Sequence, residues 1–241
     1  MSTTSMSIAE NIAGVRERVD AAARRAGREA SSVALMAVCK TKPVQEIRQA
    51  FEAGQRLFGE NRVQEFEDKA GALADVIAGG AEFHLIGHLQ SNKANRAAEL
   101  FQAVDAVDSL SLLERLNLMA QRAGKVLPVL IEINIGGEEQ KAGLPADCSE
   151  LNELLLAVPR LPNIQVRGLM TVPPFTESPE GARPYFRQMR ELRDRLLKRN
   201  LPGVSLGELS MGMSHDFEVA IEEGSTCVRV GTAIFGARNY R

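Results

Sequence analysis

Eight short apolar stretches alternate with segments of helical periodicity along the 241 residues of this chain. The stretches are typical of buried β-strands and cover the ranges 33–39, 56–59, 82–87, 103–107, 128–135, 164–170, 207–210 and 226–230. Strands that alternate with helices predict a parallel sheet, and eight of them in a chain of this length are typical of one closed (β/α)8 TIM barrel. The alternative, an open doubly wound sheet, usually has a glycine-rich first turn, and the first turn here, 40–43, contains no glycine.

The helices expected between the strands cover 43–53, 61–76, 91–100, 112–123, 145–157, 181–200, 214–223 and 232–237. An extra helix precedes the first strand, because apolar residues recur at helical spacing over 8–22. Ser7 and Glu10 have the spacing of a capping box at its start, and Gly27 is a suitable end. No linker or repeat divides the chain, so we expect one domain over 1–241.

The composition excludes several classes of protein. Basic and acidic residues nearly balance, at 29 and 31, which argues against nucleic-acid binding by bulk charge. Three distant cysteines, Cys39, Cys148 and Cys227, favour a reducing compartment over a disulfide framework. The start has no signal-peptide pattern, and no apolar run reaches the roughly 18 to 20 residues of a membrane span. We therefore expect a cytoplasmic protein without a membrane or nucleic-acid partner.

Metal binding is not expected either. His84 and His88 are four residues apart, but they flank a predicted strand end and no glutamate completes a zinc-helix motif. Packed or rim histidines are the better interpretation.

Lys40 directly follows the first predicted strand, at the end where α/β proteins place their chemistry. A lysine is unusual there, and its amine could form a Schiff base if burial or a nearby cation lowered its pKa. The alternative is a solvated lysine at the barrel rim. Lys42 is expected to be solvated, and Cys39 is expected to point away from the face of Lys40.

Two loops after predicted strands seven and eight contain small and hydroxyl residues. They are 210–214, Ser-Met-Gly-Met-Ser, and 229–232, Arg-Val-Gly-Thr, which opens a helix. In such barrels these two loops often bind phosphate through backbone N–H groups, hydroxyls and a helix dipole. The alternative is two ordinary turns, with Ser214 as a helix cap and Gly231 in a tight bend. Both loops at the expected strand ends favour the phosphate site.

A closed barrel makes strand one a neighbour of strand eight, so Lys40 and the phosphate loops would adjoin. An aldehyde-bearing phosphate that reaches both is, in outline, pyridoxal 5′-phosphate. Arg229 could then lie beside the pyridine nitrogen, where a cation disfavours protonation and weakens the ring as an electron sink. A salt bridge from Arg229 to Glu208 is the alternative.

Several motifs follow one another along nearly the whole chain: 37–43 (AVCKTKP), 58–61 (FGEN), 63–65 (VQE), 84–93 (HLIGHLQSNK), 167–170 (RGLM), 209–214 (LSMGMS) and 224–236 (GSTCVRVGTAIFG). In these motifs the chain resembles the pyridoxal phosphate homeostasis proteins, single-domain relatives of the alanine racemase barrel and of fold-type III pyridoxal phosphate proteins. The resemblance implies that Lys40 holds the cofactor as an internal aldimine. It also implies the other contacts, which are Asn61 near the ring, Arg229 at the ring nitrogen, and a phosphate site of Ser210, Gly231, Thr232 and nearby backbone, including Met211 and Gly212.

Three functions follow from these observations. The first is a carrier that acts in intracellular cofactor homeostasis and delivers pyridoxal phosphate to apo-enzymes, with no robust catalysis. The second is a pyridoxal phosphate-dependent amino-acid racemase, and the third is an unrelated phosphate-binding barrel enzyme with Lys40 as base. Racemization by related barrels depends on a second domain and a second acid–base group. This chain ends soon after the last predicted helix, and neither Tyr185 nor Tyr240 lies in a predicted strand-end loop. We expect the carrier, as a monomer.

Overall fold

A closed barrel of eight parallel strands forms the centre of the computed structural model, which describes residues 6–237. The barrel strands are β1 Ala34–Val38, β2 Leu57–Glu60, β3 Glu82–Leu85, β4 Ala103–Val107, β5 Leu127–Asn134, β7 Ile164–Met170, β8 Val204–Met213 and β9 Cys227–Val230. Each strand pairs with its neighbour, β1 pairs with β9, and the pairing of β4 with β5 completes the ring. The two-residue strand β6, Leu144–Pro145, pairs with β5 outside the ring. The predicted barrel is confirmed.

Helices surround the barrel in the order expected for this fold. They are α1 Ile8–Arg25, α2 Val44–Glu52, α3 Val63–Ala70, α4 Ala74–Ala78, α5 Ala94–Leu100, α6 Leu110–Arg122, α7 Ser149–Ala157, α8 Arg183–Leu197, α9 Phe217–Glu222 and α10 Thr232–Phe235. The prediction of one helix over 61–76 is wrong, because a 3-10 turn at Gly71–Leu73 separates α3 from α4, and glycine is a poor helix former. Among residues 6–237, no helix combines the length and apolarity that crossing a membrane requires.

Side chains on the strands alternate between two layers. On β5, Ile131 and Ile133 belong to the large core between the barrel and the helices, whereas Leu130 packs inside the barrel with Ala106 and Met170. Because successive strand residues face opposite sides, Glu132 shares the inner face with Leu130. The barrel interior therefore contains a thin apolar layer with polar residues above it.

The predicted first helix is confirmed as α1, together with its capping box. The backbone N–H of Glu10 donates to Ser7 Oγ at 3.2 Å, and the N–H of Ser7 donates to Glu10 Oε2 at 2.7 Å. α1 packs against α9 and α10, and Asn11 Nδ2 donates to the Ile234 carbonyl at 2.8 Å. The leading helix thus supports the short helix that follows the last strand.

Close contact between β7 and β8 explains the glycine of the motif 167–170. Gly168 pairs with Glu208, and a Cβ on Gly168 would lie 1.8 Å from the Glu208 backbone oxygen. The backbone of β8 cannot move away without disturbing the barrel pairings on both of its sides.

We predict that Gly168→Ala lowers the free energy of unfolding by about 3 kcal/mol, because overpacking against backbone forces strands to shift. Urea denaturation measures the effect. Gly207→Ala is the matched control, since the nearest atom to a Cβ there is Ser205 Oγ at 3.8 Å. Equal stability of Gly168→Ala and Gly207→Ala would contradict the described contact.

Candidate functional site

Lys40 is the second residue of a tight four-residue turn, 39–42, at the carboxyl end of β1. The N–H of Lys42 donates to the Cys39 carbonyl at 3.1 Å, which closes the turn, and Thr41 has a positive φ of 62°. Lys40 is half-buried, whereas Cys39 is fully buried in the core outside the barrel. Cys39 thus belongs to the outer core, and that it points away from the face of Lys40 stays a prediction.

Arg229 lies inside the barrel on β9, the strand that pairs with β1. Arg229 is 3 % exposed, and its guanidinium donates to Ser210 Oγ and to the Thr171 carbonyl, both at 2.7 Å. Burial lowers the pKa of Arg229, whereas Asp105 and Glu132, among other groups, act in the opposite direction. The alternative salt bridge from Arg229 to Glu208 is not formed, since Glu208 lies 3.7 Å from Arg167 instead.

The loop after β8 approaches the segment after β9 through Ser214. Ser214 Oγ accepts from the N–H of Gly231 at 3.2 Å and from the N–H of Ala233 at 3.4 Å. Asp216 Oδ1 accepts from the N–H of Met213 at 2.7 Å and so closes the loop between them. These contacts gather two backbone donors and a hydroxyl at one point.

Ser214 is therefore part of a local polar cluster rather than the cap of the helix that follows it. The predicted helix over 214–223 begins only at Phe217, since residues before it form this loop. The helix α10 has only four residues, so hydroxyl and N–H groups would contribute more to the binding of an anion here than a helix dipole would.

Lys42 connects the turn after β1 to α10. Its Nζ donates to the Phe235 carbonyl at 2.8 Å and lies 3.3 Å from Glu46 Oε2. The side chain is only 14 % exposed, so the prediction of a solvated Lys42 is wrong. The Lys40 turn and the segment 231–235 are held together as one unit.

Three further predicted ligands, Ser210, Met211 and Gly212, lie in different parts of the protein interior. Ser210 is fully buried beside Arg229, and the side chain of Met211 is fully buried in the outer core. Gly212 has a φ of 94°, and a Cβ there would lie 2.5 Å from that of Ala220 in α9, so this glycine serves close packing. The geometry brings neither the Ser210 nor the Met211 side chain to the donors of Gly231, and Ser214 occupies that place.

The remaining two predicted ligands lie at the carboxyl end of the barrel. Asn61 directly follows β2, which pairs with β1, and is half-buried. Thr232 is the first residue of α10 and is exposed. Sequence reasoning missed Thr171, and it included Ser214 in the predicted phosphate loop 210–214 without naming it among the ligands. Ser and Asp before a helix are a local signal for the loop that contains Ser214, but nothing local marks the carbonyl of Thr171.

A separate cavity of about 410 Å³ lies at the opposite end of the barrel. It is lined by early strand residues such as Ala34 and Leu57, and by the buried pair His84 and Asp105, whose Nδ1 and Oδ2 are 3.1 Å apart. Burial alone would lower the pKa of His84, but Asp105 and Glu82 outweigh it and raise this pKa to about 10. This cavity is remote from Lys40 and does not belong to the candidate site.

Glu132 adds a buried carboxyl to the inner face of β5. It is 8 % exposed, and its Oε2 has no hydrogen-bond partner among the described residues. Burial raises the pKa of Glu132 to about 7, with Asp108 in the same direction and Arg229 and His88 opposing it. Below that pH the carboxyl is neutral in the folded protein.

We predict that stability falls between about pH 4.5 and 7 through Glu132. The folded protein binds this proton more tightly than the unfolded chain, whose pKa is near 4.5, so raising the pH through this window favours unfolding. Glu132→Gln, of equal shape, is expected to be more stable than the parent at pH 8, by roughly 1 to 3 kcal/mol, and similar at pH 4.5. Urea denaturation at the two pH values measures this, and an unchanged pH profile would contradict it.

Comparison with known proteins places the chain among relatives of similar length. It matches the family model of the alanine racemase N-terminal domain over residues 11–239. It is 46% identical over 236 residues to the pyridoxal phosphate homeostasis protein of Aquifex aeolicus, covering 98% of this chain and 100% of the relative. It is 45% identical over 240 residues to the protein of the same name from Escherichia coli (strain K12), covering 97% of each.

Solved structures give the same fold. PipY of Synechococcus elongatus PCC7942, solved with PLP bound, is 37% identical with a TM-score of 0.81, over 95% of this chain and 100% of that chain. Alanine racemase of Clostridium difficile 630 is 14% identical with a TM-score of 0.68, over 95% of this chain and 57% of that chain. At that identity the second likeness shows the fold alone.

Proposed function

The chain belongs to the family of the alanine racemase N-terminal domain, and from this premise we propose that it binds pyridoxal 5′-phosphate and acts in its homeostasis. Relatives aligned over nearly their whole length have the name pyridoxal phosphate homeostasis protein, which supports the proposal. The observation that carries it is the placement of Arg229, buried in the barrel, on the strand that pairs with the strand of Lys40. An amine and a fixed cation are thereby held on neighbouring strands.

The phosphate would bind at the cluster of Ser214, Gly231 and Thr232. Because Ser214 Oγ accepts two backbone N–H groups, both of its lone pairs are used, and its own proton can be donated to an anion. Thr232 offers a second, exposed hydroxyl. We therefore assign the phosphate hydroxyl to Ser214, and we place Ser210 at the ring end, where it fixes Arg229.

The aldehyde would bind to Lys40 as a Schiff base, with Asn61 close to the ring and Arg229 at the pyridine nitrogen. The cofactor supplies the reactive aldehyde, and the protein supplies an amine beside a site for the phosphate. Arg229 donates hydrogen bonds within the barrel, and a guanidinium has no acceptor, so it would keep a nearby pyridine nitrogen unprotonated.

We propose a carrier without robust catalysis. An unprotonated ring is a poor electron sink, and racemization needs a second acid–base group opposite Lys40. Tyr185 lies on α8 in the helical layer, and Tyr240 lies outside the described residues.

Release of the cofactor to apo-enzymes would follow hydrolysis of the Schiff base or its exchange with another amine. Loaded protein is expected to restore an apo-enzyme's activity while racemizing no alanine, and rapid racemization would instead favour the racemase.

We further propose that the protein acts as a monomer in a reducing compartment, the cytoplasm. Free thiols support the compartment, since Cys39, Cys148 and Cys227 are all unpaired.

We predict that Lys40→Ala abolishes the visible absorption band that forms with pyridoxal phosphate, because that band requires the Schiff base. Absorption spectroscopy during titration measures it, and circular dichroism checks that the fold is kept. Lys198→Ala, which removes an exposed lysine, is the matched control and should keep the band. Persistence of the band in Lys40→Ala would overturn the assignment.

We predict that Ser214→Ala weakens pyridoxal phosphate binding by about tenfold, or about 1.4 kcal/mol, through the loss of one donor. The affinity for pyridoxal, which lacks the phosphate, should not change. Ser210→Ala is the contrasting variant and should weaken both ligands alike, since it acts through Arg229. Fluorescence titration measures both ligands, and an equal loss for both in Ser214→Ala would place the phosphate elsewhere.

A further inference from the structure

The turn that presents Lys40 contains a residue in an unfavourable backbone conformation. Thr41 has a φ of 62°, in the left-handed region that β-branched residues avoid. The next residue, Lys42, closes the turn on Cys39, so the turn fixes where the side chain of Lys40 leaves the backbone. Contacts from outside the turn must stabilise this conformation.

Glu65 of α3 supplies the first of these contacts. Its Oε1 accepts from the N–H of Thr41 at 2.5 Å. The same oxygen accepts from Lys69 Nζ at 2.6 Å, one helical turn further along α3. The carboxylate is therefore held by a cation while it binds the strained peptide.

Lys69 joins this contact to the other side of the turn. Its Nζ lies 3.1 Å from Glu60 Oε1 and 3.5 Å from the Cys39 carbonyl oxygen, and Glu60 is fully buried at the end of β2. Cys39 Sγ in turn lies 3.3 Å from the same oxygen of Glu60. The residues on both sides of Lys40 are thus connected through three charged side chains.

Packing alone does not explain why charged side chains lie behind the Lys40 turn. Burying a carboxylate costs free energy, and burial raises the pKa of Glu60 while Lys69 opposes the rise. An apolar contact would stabilise α3 against the barrel at lower cost, but it could not accept a hydrogen bond from the N–H of Thr41. The network therefore serves the turn more directly than it serves the core.

We propose that Glu60, Lys69 and Glu65 form a positioning network that holds the Lys40 turn ready to react with the aldehyde of pyridoxal phosphate. The inference rests on the proposed function, since it assumes that Lys40 forms the Schiff base. None of the three is assigned a contact with the cofactor. Glu65 is the member that binds the strained peptide directly, so it gives the clearest test.

The test measures how fast the visible band forms after mixing with pyridoxal phosphate. Glu65→Ala is expected to slow Schiff-base formation by about tenfold, equivalent to about 1.4 kcal/mol and of the order of the strain in one such residue. Glu67→Ala removes a carboxylate of the same helix that binds Arg96 instead, and it should react at the parental rate.

A second substitution separates positioning from general loss of stability. Glycine adopts positive φ without strain, so Thr41→Gly alone should react like the parent. The double variant Glu65→Ala/Thr41→Gly should recover most of the lost rate. In the cofactor-free protein, hydrogen exchange at the Thr41 amide should accelerate in Glu65→Ala while exchange in the barrel strands stays unchanged.

The outcomes are distinct. A parental protein that forms no band contradicts the proposed function itself. A parental rate in Glu65→Ala, an equal loss in Glu67→Ala, or a double variant that stays slow each overturns the positioning network while leaving the Lys40 assignment intact. Slow reaction in Glu65→Ala with recovery through Thr41→Gly supports it.

Discussion

The pairing of the first barrel strand with the last is the contact on which the site depends. β1 and β9 run in parallel with Met36 opposite Arg229 and Ala37 opposite Val230. This register sets the turn of Lys40 beside Gly231, where a Cβ would lie 3.4 Å from the Val38 carbonyl. The first and last barrel strands thereby meet, and the barrel closure that buries the core also assembles the candidate site.

A buried guanidinium is the second constraint. Removing Arg229 from water is costly, and its partners are a hydroxyl and a carbonyl, which are neutral acceptors. Asp105 and Glu132 favour its charge, and burial in turn raises the pKa of Glu132. A cation so placed would bind an electron-rich ring nitrogen and discourage its protonation. The proposed cofactor binding would therefore be compatible with weak catalysis.

The fold was predictable because its signal is periodic. Alternating strands and helices indicated the barrel, and the order of the motifs placed Lys40 and Arg229 on neighbouring strands. The sequence could not decide whether Ser210 or Ser214 supplies the proposed phosphate hydroxyl, since the positive φ of Gly212 between them redirects the chain. The contacts of Lys42 with Phe235 and of Glu65 with Thr41 join distant segments and have no local sequence signal.

The most direct test of the account is borohydride reduction of the protein mixed with pyridoxal phosphate, followed by peptide mapping. Lys42 and Lys69 lie close to Lys40 in the structure and serve as internal competitors. Both are bound to carboxylates and carbonyls. Since the proposed phosphate cluster would hold the aldehyde beside Lys40, the account predicts a single modified residue, Lys40. Modification spread over several lysines, or centred on Lys42 or Lys69, would contradict it.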